Sequence, residues 1–215
     1  MPTITALQVQ QRNKRRMNVY LDDAFAFGIA MNAGLALRVG MTLSAAEIAA
    51  LKNADEVERA YERALRFLSY RARSEAEVRR NLQQHEAPPD VIDAVLGRLR
   101  QAKYVDDAEF AALWVANRLE HRPRGRRALR AELRQKGIAD ELIEAAVRDV
   151  DDMAAARAIG EKRATRFSKL PTREFRNKMY GVLARRGFDS DTIRTVIREL
   201  IDFYAISESE PENED

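Results

Sequence analysis

No cysteine occurs anywhere in the 215 residues, which excludes disulfides and thiolate metal sites. Histidine is nearly missing too. His85 and His121 are the only two, so a zinc site would have to lean on carboxylates, and none shows ligand spacing. No stretch approaches the roughly 20 apolar residues of a membrane-spanning helix. The opening Met1-Pro2-Thr3-Ile4 lacks the basic segment and apolar run of a secretory signal, so the expected location is the cytoplasm, away from membranes. A phosphate-binding loop is absent as well, because no Gly-Lys-Ser/Thr closes the stretch from Gly34 to Gly40. Paired acids at Asp22-Asp23, Asp106-Asp107 and Asp151-Asp152 stand at turns or helix starts, where carboxylates cap backbone N–H groups. The expectation is a protein with no catalytic residue, no metal and no cofactor.

What is present favours helices. Charged residues make up 33% of the chain and apolar ones 46%, enough for packed cores under solvated charged faces. The formal net charge of +3 conceals an uneven distribution. The last nine residues carry five acids and no base, which leaves +8 on residues 1–206. A basic body suits a polyanionic partner, or an acidic protein surface beside one.

The first fifty residues differ from the rest. Thr5, Leu7 and Val9 alternate with polar neighbours, and so do Met17, Val19 and Leu21, then Phe25, Phe27 and Ile29. That period of two, with Asp22-Asp23 as a two-residue turn, predicts a β-hairpin with a third strand before it. The basic run Arg12, Lys14, Arg15, Arg16 falls in the loop between the first two strands. Ser44 and Glu47 form a capping box, with Leu43 and Ile48 spaced for a hydrophobic staple, so a short helix is expected to start there.

From Asp55 to Leu200 the pattern is helical and repeats about every fifty residues. Leu82 aligns with Leu133 and Leu183, Val78 with Leu129 and Met179, Ile92 with Ile143 and Ile193, and Leu99 with Val150 and Leu200. Each unit reads as three helices. The second helix stops at Lys136-Gly137-Ile138 or Arg186-Gly187-Phe188, where glycine supplies a left-handed cap. In the first unit Glu86-Ala87-Pro88-Pro89 is expected to end it by other means. The fold expected is mainly α, with three tandem three-helix repeats in an elongated array after a small N-terminal β-hairpin region. The divisions expected are residues 1–53, 54–105, 106–150, 151–206 and an acidic disordered tail at 207–215.

Several segments match a known family. Tyr104-Val105-Asp106-Asp107-Ala108-Glu109-Phe110-Ala111 resembles the "GYLDDxxFA" signature of RecX proteins. Arg122-Pro123-Arg124-Gly125, Leu129, Leu133 and Lys136-Gly137-Ile138 resemble its "RPRGxxxLxxELxxKGI" continuation. Leu65 to Ser74 is similar to the "ALxxLxxRxRS" of the first unit, and Arg185-Arg186-Gly187-Phe188 to the "RRGF" of the third. Lys103 departs from the pattern, standing where a glycine is usual, and Glu86-Ala87 lacks the glycine turn. The resemblance implies a non-enzymatic regulator of the RecA recombinase. Such proteins bind RecA–DNA filaments along the groove, reduce ATP hydrolysis and strand exchange, and limit filament growth.

The residues themselves offer two basic candidates for partner or DNA contact. Between Arg122 and Lys136, seven bases (Arg122, Arg124, Arg126, Arg127, Arg130, Arg134, Lys136) face one acid, Glu132. Arg126, Arg127, Arg130 and Arg134 fall within an arc of about 100° beside the Leu129–Leu133 stripe. Guanidinium groups there suit phosphates or carboxylates. The alternative is a solvated face balanced by acids such as Asp140 on neighbouring helices. The loop carrying Arg12, Lys14, Arg15 and Arg16 is the second candidate, for DNA backbone. Trp114, Tyr104 and Phe167 have the spacing of core residues. Expected partners are the RecA filament and single-stranded DNA, with duplex DNA a further candidate, and no apolar heptad seam argues for a dimer. The rival reading is a helix-turn-helix-like nucleic-acid-binding regulator that acts without RecA.

Overall fold

Two aspartates make the first tight turn. Asp22 and Asp23 take φ of 47° and 65°, the handedness that lets a two-residue turn join right-twisted antiparallel strands. In the computed structural model, which describes residues 1–204 and 206, this turn links β2 (Arg16–Leu21) to β3 (Ala24–Ala30). β1 (Ile4–Val9) pairs with the other edge of β2, giving a three-stranded antiparallel sheet in the order β1-β2-β3. Val19 faces Leu7 on one side and Phe27 on the other. Val19, Phe27, Ile4 and Ile29 are buried together with Leu37 and Leu43.

A single helical turn, α1 (Met31–Gly34), follows β3, and then α2 (Ala45–Leu68) begins at Ser44. Ser44 and Glu47 exchange both bonds of a capping box, and Leu43 and Ile48 meet in the core beneath the sheet. The helix is not short. It runs for 24 residues, because no proline or glycine interrupts it before Leu68, and the division expected between residues 53 and 54 falls inside it. One buried group ties α2 to the sheet: Asp55, 6% exposed, accepts from the backbone N–H of Ala30 at 2.9 Å and from Arg16 Nη2 at 2.8 Å.

The remaining helices form three triads. The first combines α2 with α3 (Glu75–Gln84) and α4 (Pro89–Gln101). The second is α5 (Asp107–His121), α6 (Arg126–Gln135) and α7 (Asp140–Val147). The third is α8 (Asp152–Phe167), α9 (Thr172–Ala184) and α10 (Ser190–Tyr204). Each triad has its own core, and the aligned residues occupy matching places in it. Leu82, Leu133 and Leu183 are fully buried, as are Val78, Leu129 and Met179. The chain divides into two compact units, Met1–Val105 and a second beginning at Asp106.

Matching hydrogen bonds close the second helix of every triad. The N–H of Ala87, Ile138 and Phe188 donates to the carbonyl of Leu82, Leu133 and Leu183, respectively. These are Schellman closures, which require a left-handed residue just before the donor. Gly137 and Gly187 supply it at φ of 80° and 84°, but in the first triad Glu86 does so at 58°. The first triad therefore uses the same stop, without a glycine. Lys103, at φ 55°, does likewise after α4, where Tyr104 N–H reaches the Leu99 carbonyl at 2.9 Å.

Tyr104 departs from expectation. It is 57% exposed, because the turn points it outward and sends Val105 into the core instead. Phe167 packs at the edge of the third core, while His85 and His121 are exposed. Among the described residues no helix is long and apolar enough to cross a membrane. The acidic segment 207–215 lies outside the described residues.

Candidate functional site

Helix α6 starts after Gly125 and buries Leu129 and Leu133. Its neighbouring face carries Arg126, Arg130 and Arg134, each set against a carboxylate. Arg130 donates twice to Glu144 on α7, at 2.7 and 2.8 Å, which raises the Arg130 pKa and lowers that of Glu144. Arg134 meets Asp140 at 2.8 Å. The side chain of Arg126 is 3.7 Å from Asp152, whose Oδ1 also accepts from the Arg126 backbone N–H at 2.9 Å. Burial pushes the Asp152 carboxyl up, against the lowering effect of those contacts with Arg126. An outside anion would have to compete with these acids for the arginines.

The single acid of α6 is equally occupied. Glu132 accepts from Arg118 Nε at 2.7 Å and Trp114 Nε1 at 2.9 Å, and lies 3.5 Å from Arg124. Trp114 stacks on Phe110, with ring centroids 5.9 Å apart. Arg118 and Lys136 approach the Trp114 ring to 4.3 and 5.0 Å. Trp114 is thus half-buried and already covered by cations. Arg122 and Arg127 are exposed, with no carboxylate partner among the described residues.

The N-terminal basic run splits in two. Arg12, Lys14 and Arg15 are exposed between β1 and β2, in a loop turned by Asn13, which accepts from Arg15 N–H at 3.1 Å. Arg16 belongs to β2 and is committed to the buried Asp55. The sequence gives no local sign of that difference, since Asp55 is 39 residues away.

Two of the quoted motifs meet in space. The loop Arg122–Gly125 of the second triad packs on the turn Arg185–Phe188 of the third. Gly125 N–H donates to the Arg186 carbonyl at 2.9 Å, Arg124 Nη1 to the Arg185 carbonyl at 3.3 Å and Arg186 Nη1 to the Pro123 carbonyl at 3.1 Å. A Cβ on Gly125 would lie 2.5 Å from the Gly187 carbonyl oxygen, so glycine is required there by close backbone approach. This seam opens into a cavity of about 390 Å³ lined by Arg122, Arg124, Arg163, Val182, Arg185 and Arg186. Burial, with Arg124 and Arg163 nearby, pushes the Arg186 guanidinium below its usual value. Sequence reasoning reached Arg122 and Arg124 but missed Arg163, Arg185 and Arg186. The "RRGF" match held a signal for two of them, whereas Arg163 has none.

The paired acids are structural. Asp22 accepts from Thr3 N–H at the hairpin, Asp106 caps α5 through Ala108 and Glu109, and Asp151 caps α8 through Ala154. Among the described residues no group of three or more His, Cys, Asp or Glu is placed to hold a metal.

Comparison with known proteins accounts for nearly the whole chain. The model of the regulatory protein RecX N-terminal domain matches residues 2–43. Those of the first, second and third RecX three-helix domains match 60–99, 106–147 and 149–197. The regulatory protein RecX of Bacillus subtilis (strain 168) is 36% identical over 205 residues, which cover 93% of this chain and 78% of that protein. That of Levilactobacillus brevis is also 36% identical, covering 93% and 77%. A crystal structure of regulatory protein RecX superposes with a TM-score of 0.75 at 29% identity, covering 91% of this chain and 98% of the other. RecX from Lactobacillus salivarius gives 0.63 at 29% identity, over 68% and 97%. With every element from the sheet to the third triad matched in order, the chain belongs to the RecX family of regulatory proteins.

Proposed function

We propose that this chain is a non-enzymatic modulator of the RecA recombinase, which binds RecA–DNA filaments and lowers their ATP turnover, strand exchange and growth. The observation that carries the proposal is the ordered match of all four family domains. The physical route is bridging. A chain with three triads offers several surfaces, and holding more than one RecA protomer at once opposes the rearrangements that accompany ATP turnover. Occupying the filament groove would also exclude incoming duplex DNA. Of the basic residues singled out in the sequence, those exposed and without an acid partner among the described residues, Arg122, Arg127, Arg12, Lys14 and Arg15, supply the contacts. Arg124, Arg126, Arg130, Arg134 and Lys136 engage only where a partner competes with their present contacts. The protein is expected to act as a cytoplasmic monomer.

The unpaired cations also suit a nucleic-acid-binding regulator that needs no RecA. Fluorescence anisotropy of labelled single-stranded DNA with ATP, with and without RecA, separates the two. The proposal expects half-saturation at much lower protein concentration on the RecA filament than on the naked strand. Equal binding to both would favour the rival.

A further inference from the structure

The arginine cavity at the seam differs electrostatically from the paired arginines of its unit. On α6, α8 and α10, Arg130, Arg134, Arg157 and Arg194 each meet a carboxylate at 2.6–2.8 Å. Among the described residues the cavity is lined by five arginines and no acid. Among the described residues the one carboxylate that reaches any of them is Glu132, 3.5 Å from Arg124, and it is already bonded to Arg118 and Trp114. Arg122, Arg163 and Arg185 are exposed and have no carboxylate partner among the described residues. The cluster is nonetheless held together. Arg124 and Arg186 are anchored by bonds to the carbonyls of Arg185 and Pro123, and the Gly125–Arg186 backbone bond fixes the two loops. Like charges confined this way repel, and an anion in the cavity would relieve the repulsion.

We infer that this cavity is a phosphate-binding site, taking the phosphate groups of a nucleotide or of a nucleic-acid strand. Guanidinium forks match phosphate oxygens in pairs. Linked phosphates also bring several negative charges into one small volume, as five converging arginines require, whereas carboxylate side chains bring one each. The volume of about 390 Å³ falls in the range of roughly 300–1,000 Å³ that is usual for small-ligand sites. Among the described residues Val182 is the only apolar one in the lining and no aromatic is present, so a base has nothing to stack on and recognition rests on phosphate alone. The inference does not depend on RecA.

The test uses the full chain without RecA. Calorimetric titration is made with sodium tripolyphosphate, with an oligo(dT) lacking terminal phosphates, and with polyglutamate as the carboxylate control. The R163Q/R185Q variant removes two exposed charges whose side chains make no bond among the described residues, and R79Q, on α3, serves as the control variant. Tripolyphosphate or the oligonucleotide should bind saturably, raise the melting temperature of the parent, and bind at least tenfold more weakly to R163Q/R185Q but not to R79Q. If the strand is the ligand, losing two contacts should lower its salt slope by about 1.4. Competition between the two ligands would show that both sources use one cavity. Saturation by one alone identifies the source. Circular dichroism should be the same for all three proteins. Phosphate binding that is absent, or unchanged in R163Q/R185Q, overturns the inference. So does polyglutamate binding more tightly than either phosphate ligand at equal ionic strength with the same variant dependence, which would assign the cavity to an acidic protein surface.

Discussion

Replacing Gly125 by alanine isolates the seam between the second and third triads. Gly125 has φ −72° and ψ 157°, a conformation open to any residue, so the new methyl meets no backbone penalty of its own. What it meets is main chain: Gly187 O at 2.5 Å, Gly187 C at 2.7 Å and Phe188 N at 2.8 Å. None of these can rotate away, so the two loops must part. Overpacking of this kind costs about 1–3 kcal/mol. Parting also weakens the Gly125–Arg186 bond and the two arginine–carbonyl bonds beside it, at about 0.5–1.5 kcal/mol for each one lost. The expected loss is about 2–4 kcal/mol. Gly97→Ala is the internal comparison. Gly97 lies inside α4 with nothing within 4 Å of an added Cβ, so alanine should stabilise by about 0.8–1 kcal/mol through helix propensity. Urea denaturation followed by circular dichroism measures both. Fluorescence of Trp114, the only tryptophan, reports separately on the second triad. A Gly125→Ala chain within about 0.5 kcal/mol of the parent, less than a typical clash costs, would refute the close approach.

Three further outcomes follow from the same geometry. Glu86→Gly and Lys103→Gly should each stabilise by up to about 1 kcal/mol, since a left-handed non-glycine residue costs roughly 1–2 kcal/mol and glycine's extra chain entropy returns part of that; thermal melts showing no gain would contradict the strain argument. Changing Arg126, Arg130 and Arg134 together to Glu should keep helicity but cost about 1–3 kcal/mol in urea, as each pair becomes a repulsion with the buried Asp152 or the exposed Glu144 and Asp140; an unchanged midpoint would mean that the pairs do not form. Asp189 accepts from Thr192 N–H and Oγ1 at 2.8 Å, which holds its carboxyl below the usual value. Asp189→Ala should therefore cost about 0.5–2 kcal/mol at neutral pH, and the difference from the parent should vanish as pH falls through the depressed folded value; a pH-independent difference would argue against the cap.

The residues legible in the sequence were those whose position depends on near neighbours. Leu82, Leu133 and Leu183 could be aligned because burial on one face of a helix imposes its own period. The Ser44–Glu47 box involves residues three apart and forms as expected, and Ser74 and Glu77 make the same local box at α3. The Asp22-Asp23 turn was legible for the same reason. Properties set by distant chain were not. Nothing near Arg16 shows that Asp55 will take its charge, and Glu144 becomes the partner of Arg130 only when α7 folds back on α6. The seam depends on two loops some sixty residues apart, so Arg163 gave no local signal at all. Glu86 hid a Schellman turn because a non-glycine residue in the left-handed region costs energy and is a poor marker. Tyr104 had core-like spacing, but the left-handed Lys103 turns the chain so that Val105 faces inward.

The central claim, modulation of RecA, is tested most directly by the rate of RecA ATP hydrolysis on single-stranded DNA as this protein is added below stoichiometry. The proposal predicts that the steady-state rate falls progressively while the protein alone hydrolyses no ATP. A RecA rate unchanged at excess protein would contradict it.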